Sequence, residues 1–124
     1  MAPVDHPVSG SALVFSLAGE MQRIRDELAG SGARTARTAR TLVKEGALRL
    51  TLVGIRPGGE LRTHHADGPI SVHVLEGEIE FHAGGERWTL AAGSLLSLPA
   101  RVEHAVQSPQ GGIFLLAVAS PGMP

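Results

Sequence analysis

The chain has 124 residues, 43% of them hydrophobic, a net charge of −1 and no cysteine. That is one domain's worth of chain, long enough for a single core and too apolar to stay disordered. The near-neutral balance gives no general attraction to nucleic acid or an anionic membrane, and without cysteine any metal must use histidine, carboxylate or water rather than thiolate.

Near the start, the apolar run from Ala12 to Ala18 has no basic residue ahead of it and an acidic, helix-like stretch behind it, which argues against a secretory signal. No run approaches the roughly 20 apolar residues of a membrane helix. A cytoplasmic protein is therefore expected. Ser16 to Ala29 is the helix candidate: Leu17, Met21, Ile24 and Leu28 recur at helical spacing, and Gly30 and Gly32 stop the pattern. An apolar stripe on a segment that precedes the main body needs a surface to cover it. A homodimer is expected for that reason, with strands near Arg40 to Lys44 adding to an edge.

Charge is uneven along the chain. Nine of the 11 Lys and Arg, but only six of the 12 Asp and Glu, lie at or before Arg62, so this part carries +3 and the rest −4. The densest stretch is ARTARTAR, Ala33 to Arg40. It reads either as a phosphate-binding arm or as a solvated connector leading into a strand. The connector is preferred, because no aromatic residue is interleaved for base stacking.

After about Thr38 the apolar period changes to two. Leu48, Leu50 and Leu52 share one face and Arg49 and Thr51 the other, the pattern of a half-buried strand. Ile70, Val72 and Val74 alternate with Ser71 and His73; Glu76-Gly77 is expected to turn the chain; Ile79 and Phe81 then alternate with Glu78, Glu80 and His82. Further apolar strands around Trp88–Leu90, Leu95–Leu98, Val102–Val106 and Ile113–Val118 are separated by the glycine turns AGGE, AAGS and SPQGG. Short strands at roughly 8–12-residue spacing make an antiparallel sandwich or barrel. One barrel of six to eight strands is expected from about Thr41 to Ser120. Residues 1–40 form an N-terminal arm of the same domain and residues 41–124 the barrel.

The stretch from Gly58 to Ser108 resembles the paired motifs of the cupin superfamily, G-x5-H-x-H-x3-E-x6-G and G-x5-P-x-G-x2-H-x3-N. Gly58, His64 and Gly77 fall on the first, Gly93, Pro99 and His104 on the second, and the wording VLEGEIEF is similar to the family's. The resemblance implies an all-β fold, a double-stranded β-helix (jelly-roll) barrel with one short N-terminal helix. More narrowly, the chain looks like a group of short single-domain cupins of unassigned function.

The departures fall on ligand positions. Carried over residue by residue, His64 and His104 stand on family histidines, Ala66 replaces the other first-motif histidine and Ile70 the glutamate. Arg101 and Ser108 replace the second motif's glycine and asparagine. His64 and His65 do not both face the interior, because neighbours on a strand face opposite ways unless a bulge intervenes; spacing to Gly77 favours His64, whereas a longer variant of the first motif selects His65 and still puts Ile70 on the glutamate. His104 shares a face with Val102 and Val106, whereas Glu103 and Ala105 face away. His73 alternates off the inner face, His82 sits at a turn and His6 in an irregular terminus. Glu78 and Glu80 read as a wet face rather than a catalytic pair, and Trp88 as packing.

Three functions follow. The first is a small-molecule-binding barrel with a ligand site of His64, Ile70, Val72, His104 and Val106, in which a metal on His64 and His104 is weak or absent. The second is a metal-dependent enzyme, an oxygenase or isomerase, using those histidines with zinc, nickel, manganese or iron; two histidines leave most of the coordination sphere to exchangeable ligands. The third is a dimeric sensor or structural module. Neither a nucleic-acid nor a membrane partner is expected. No cysteine nucleophile, supported Ser-His-Asp set, phosphate loop or inward carboxylate pair marks a catalytic site.

Overall fold

The computed structural model describes residues 6–30 and 36–120, apart from the side chains of Thr63 and His64. One helix, α1 (Leu17–Gly30), is followed by β1 (Arg37–Glu45), β2 (Leu48–Ile55), β3 (Gly59–His64), β4 (Ile70–Ala83), β5 (Glu86–Ala91), β6 (Leu95–Leu98), β7 (His104–Ser108) and β8 (Gly112–Ala119). All pairings are antiparallel, in the order β1-β2-β8-β4-β7-β3, with β5 and β6 also pairing with β4.

β4 is the hinge of the architecture. Its first half pairs with β6 and β8, its second with β5 and β7, so one strand belongs to both layers. The expected turn at Glu76-Gly77 is instead a bend inside this strand. The register slips between Val74 and Glu76, and Gly77 takes φ 71°, a left-handed conformation that glycine reaches without a Cβ penalty. True hairpin reversal waits for Gly84 and Gly85, both at positive φ, between β4 and β5.

The inward faces of the two layers form one core of Val53, Ile55, Ile70, Val72, Val74, Ile79, Phe81, Val106 and Phe114, with Trp88 packed against it. The packing reading of Trp88 holds. The leucine face of β2 goes elsewhere: Leu52 and Leu50 belong to a second cluster, outside the barrel, with Ile24, Met21 and Leu28 of α1 and Leu42 and Ile113 of the sheet. β2 is thus apolar on both faces because it separates the barrel interior from the helix. Gly54 lies under α1, where an added Cβ would collide with Ile24.

α1 begins where Ser16 caps it: the Gly19 amide donates to Ser16 Oγ at 3.2 Å. Its apolar stripe is covered by the chain's own sheet. That corrects the reason given for a homodimer, since no second copy is needed to bury Ile24. The proposed pairing edge is also partly used, because the Lys44 amide donates to Val8 O at 2.8 Å.

In the arginine-rich stretch, Ala33, Arg34 and Thr35 lie outside the described residues. Arg37 to Arg40 are already strand β1, ahead of the expected barrel start at Thr41, and not a connector. Arg40 Nε meets Glu20 Oε1 at 2.8 Å, with both side chains 14% exposed, and Thr38 Oγ1 donates to Glu27. These polar groups tie β1 to α1. Among the described residues no helix is long and apolar enough to cross a membrane.

Candidate functional site

The two motif stretches meet across the β3–β7 pair. The backbone register places His64 directly opposite His104, after a slip between Leu61 and His64 in which β3 carries one residue more than β7. The side chain of His64 lies outside the described residues. His65 is exposed beyond the end of β3, as is His73 on the outside of β4, in line with the alternation.

His104 is held from two sides. It is 5% exposed, its ring stacks on Phe81 with centroids 5.4 Å apart and planes 14° from parallel, and Nδ1 lies 3.0 Å from Val102 O. A carbonyl only accepts, so Nδ1 is the donor and the neutral ring keeps its lone pair on Nε2. An imidazole oriented in this way suits an acceptor of a ligand's proton, or a metal ligand whose remote nitrogen is fixed by the backbone.

The other expected site residues are deeper. Ile70 is 5% exposed and, with Val72 and Val106, belongs to the interior cluster. Ala66 packs against the same cluster from the β3–β4 loop. Hydrocarbon therefore fills the two family positions that would carry a second histidine and a carboxylate. Among the described residues no three His, Asp or Glu side chains come together as a metal set.

An open cleft of about 720 Å³ reaches His104. Its walls are the β4–β5 hairpin from His82 to Arg87 and the stretch from Val102 to Ala105. Of the expected ligand-site residues whose side chains are described, Ile70, Val72, His104 and Val106, only His104 lines it. The sequence places His82 at a turn, but it lies in β4, paired with Arg87 and Ala105. Its Nε2 is buried without a hydrogen-bond partner among the described residues, 3.8 Å from Glu80 Oε1. Its parity with Glu78 and Glu80 was the signal that could have kept it in view. Those glutamates are half-buried rather than fully wet; Gln107 Nε2 donates to Glu80 Oε1 at 3.1 Å. A second cleft, about 490 Å³, lies between α1 and the sheet, where Arg25 pairs with Glu76 at 2.5 Å.

The second-motif loop carries an unusual backbone. Arg101, standing where the motif has glycine, takes φ 65°, the only non-glycine residue at positive φ among those described. Its amide donates to Ala66 O at 2.8 Å and so joins the two motif loops.

The family model of the cupin domain matches residues 51–116. Among solved structures, a conserved protein of unknown function from Streptococcus pyogenes is 24% identical, with a TM-score of 0.72 over 99% of this chain and 98% of that one. A cupin 2 conserved barrel domain protein from Leptotrichia buccalis is 26% identical, with a TM-score of 0.67 over 77% of this chain and 46% of that one. A salicylate 1,2-dioxygenase from Pseudoaminobacter salicylatoxidans, solved as adducts with gentisate, is 20% identical, with a TM-score of 0.65 over 82% of this chain and 30% of that one. No curated protein sequence matches the chain.

Proposed function

The chain belongs to the cupin family, and on that footing we propose that it binds a small molecule at the barrel mouth without a tightly held metal, His64 and His104 serving as polar anchors. Ile70, Val72 and Val106 supply the apolar wall behind them. The observation that carries this reading is Ile70. A family metal site would need an anionic ligand there, and the position instead holds a branched hydrocarbon packed into the core. Neutral imidazoles alone do not offset a divalent charge unless a third is at hand, and His65 and His73 are exposed on the outside. The residues present do not fit a family-type metal centre.

A metal-dependent enzyme of the oxygenase or isomerase type is the second reading. It is supported by the orientation of His104, whose Nδ1 is committed to Val102 O, and by the likeness of fold to the dioxygenase. Elemental analysis separates the two. Protein purified without added metal and dialysed is expected to hold well under one equivalent of zinc, nickel, manganese or iron. Stoichiometric metal that survives a chelator would put the enzyme reading first.

A homodimer remains part of the proposal, now supported by the outside of the sheet rather than by the helix. Leu52, Leu115, His73 and Leu95 form one row across β2, β8, β4 and β6, and α1 covers only its first end. Leu95 is 69% exposed and, on the same face of β2, Leu48 is 44% exposed. An uncovered apolar sheet face of this kind fits a self-complementary contact about a two-fold axis. Light scattering at micromolar concentration is expected to give twice the chain mass, shifting toward one chain in Leu95→Glu. A wild-type monomer would remove the dimer from the proposal, and with it the sensor or structural-module alternative.

A further inference from the structure

We propose that the outer face of the β2-β8-β4-β6 layer is a contact between two copies of this chain that acid opens, with His73 as the residue that takes up the proton. The inference rests on the dimer reading above and adds its regulation.

The register puts His73 at the middle of an apolar surface. It stands between Leu115 of β8 and Leu95 of β6, and the neighbouring row of Ala117, Ser71 and Ser97 is made of short side chains. Leu48 and Leu95 are two of the four large hydrophobic side chains that stand exposed among the described residues. The other two, Val14 and Leu17, flank Phe15, which packs on the outer cluster of the same layer.

Charge is what commits this face to a second copy. In a two-fold contact a surface meets itself, so an unpaired charge near the axis meets its like. β6 and β8 carry no charged residue, and Arg49, the one on β2, alternates to the opposite side from Leu48 and Leu50. The charges on the bordering elements are tied: Glu20 to Arg40, Arg25 to Glu76, Glu27 to Thr38, and Glu45 to the Gly10 amide. Arg23 and Asp26 of α1 are exposed, while the buried Ile24 faces the sheet. Glu78, Glu80 and His82 lie beyond the Gly77 bend, where β4 pairs with the other layer. His6 meets the edge of Phe15 in the segment before α1. A charged partner finds no counter-charge here, whereas a second neutral copy of the face fits it.

His73 is the one group that can break this match. Histidine changes its charge between about pH 5 and 8. In a single chain the His73 side chain is exposed to water. Covered by the leucines of a second copy, an imidazolium loses its water and gains no carboxylate, so burial disfavours the charged form. The separated chains therefore bind more protons than the pair, and association weakens as pH falls.

Light scattering along a dilution series tests this, with far-UV circular dichroism of each sample to follow the fold. The wild-type dimer is expected to dissociate about a hundredfold more readily at about pH 5.5 than at about pH 7.5, roughly tenfold for each of two imidazoles. His73→Gln is expected to remain dimeric and lose this dependence. His73→Arg, with its fixed charge, is expected to be a single chain at both values, and His6→Gln to follow the wild type. A wild-type dimer equally tight at both pH values, a His73→Gln variant that still weakens in acid, or a His73→Arg variant that stays dimeric would each overturn the proposal while leaving the dimer itself intact. A wild-type monomer at about pH 7.5 would overturn the dimer reading, and this proposal with it.

Discussion

Gly77→Ala is expected to destabilise the barrel by roughly 3 kcal/mol or more, because two separate costs fall on one residue. The first is conformational: φ is 71°, where a Cβ is strained. The second is crowding. A Cβ at this position would collide with the carbonyl oxygen of Gly111 and stand 2.9 Å from Gly112 Cα, and both are backbone, which has no rotamer to yield. The same spot is tied down by Glu78 N donating to Gly111 O at 3.3 Å and Ala92 N to Gly77 O at 3.0 Å. Gly84→Ala isolates the first cost. Gly84 has φ 58° but nothing within 4 Å of an added Cβ, so its loss is expected to be about 1 kcal/mol. Urea denaturation of both variants measures the difference. Equal losses would show that the approach of β4 to β8 at Gly77 is soft and that the bend is not set there.

The contrast between these glycines also marks how far the fold was legible. Glycine between two alternating runs reads as a turn, and at Gly84-Gly85 it is one. At Gly77 the same local signal produces a bend within one long strand, because β5 and β7 take up the ladder beyond Gly77 and β8 pairs with the strand up to Gly77 itself, opposite Gly112. That partner is more than thirty residues away in sequence, beyond the reach of any local pattern. The helix is different in kind. Its stripe and its Ser16 cap are local, and the element came out as Leu17–Gly30 against an expected Ser16–Ala29. The stripe's partner was not local. Leu50 and Leu52 read as one face of a half-buried strand, and only the three-dimensional layering shows that this face meets the helix while Val53 and Ile55 meet the barrel core.

The site was legible to the same degree. Parity along the chain was enough to turn His104 inward with Val106 and to leave His65 and His73 outside. It did not reveal that His104 would be stacked on Phe81 from another strand, nor that His82, read as a turn residue, would stand on the wall of the cleft. Arg101 shows the limit most clearly. As a letter it is a departure from a motif; as a backbone conformation it preserves what the motif's glycine would have done.

Ile70→Glu is expected to retain metal that the wild type is expected to lose on dialysis, at a large cost in stability when metal is absent. In the metal-free protein the new carboxyl enters a position now 5% exposed, among Val72, Val74 and Phe114. Losing the packed hydrocarbon and burying a carboxyl without a partner costs about 3 kcal/mol, and the group avoids part of a larger penalty by staying protonated. A divalent cation reverses the sign of that electrostatic problem, since the ion stabilises the carboxylate that burial disfavours. Free zinc or nickel at a hundred times its dissociation constant would return about 2.7 kcal/mol. The thermal midpoint of Ile70→Glu is therefore expected to rise on adding either metal, while that of the wild type stays put. His104→Ala in the same background should abolish both the rise and the retained metal, because it removes the imidazole whose Nδ1 is already committed to Val102 O. Metal content after identical dialysis, read beside the midpoints, decides the matter. If Ile70→Glu keeps no more metal than the wild type, Ile70 does not stand at a ligand position, and the argument from its hydrocarbon side chain against a metal centre fails with it.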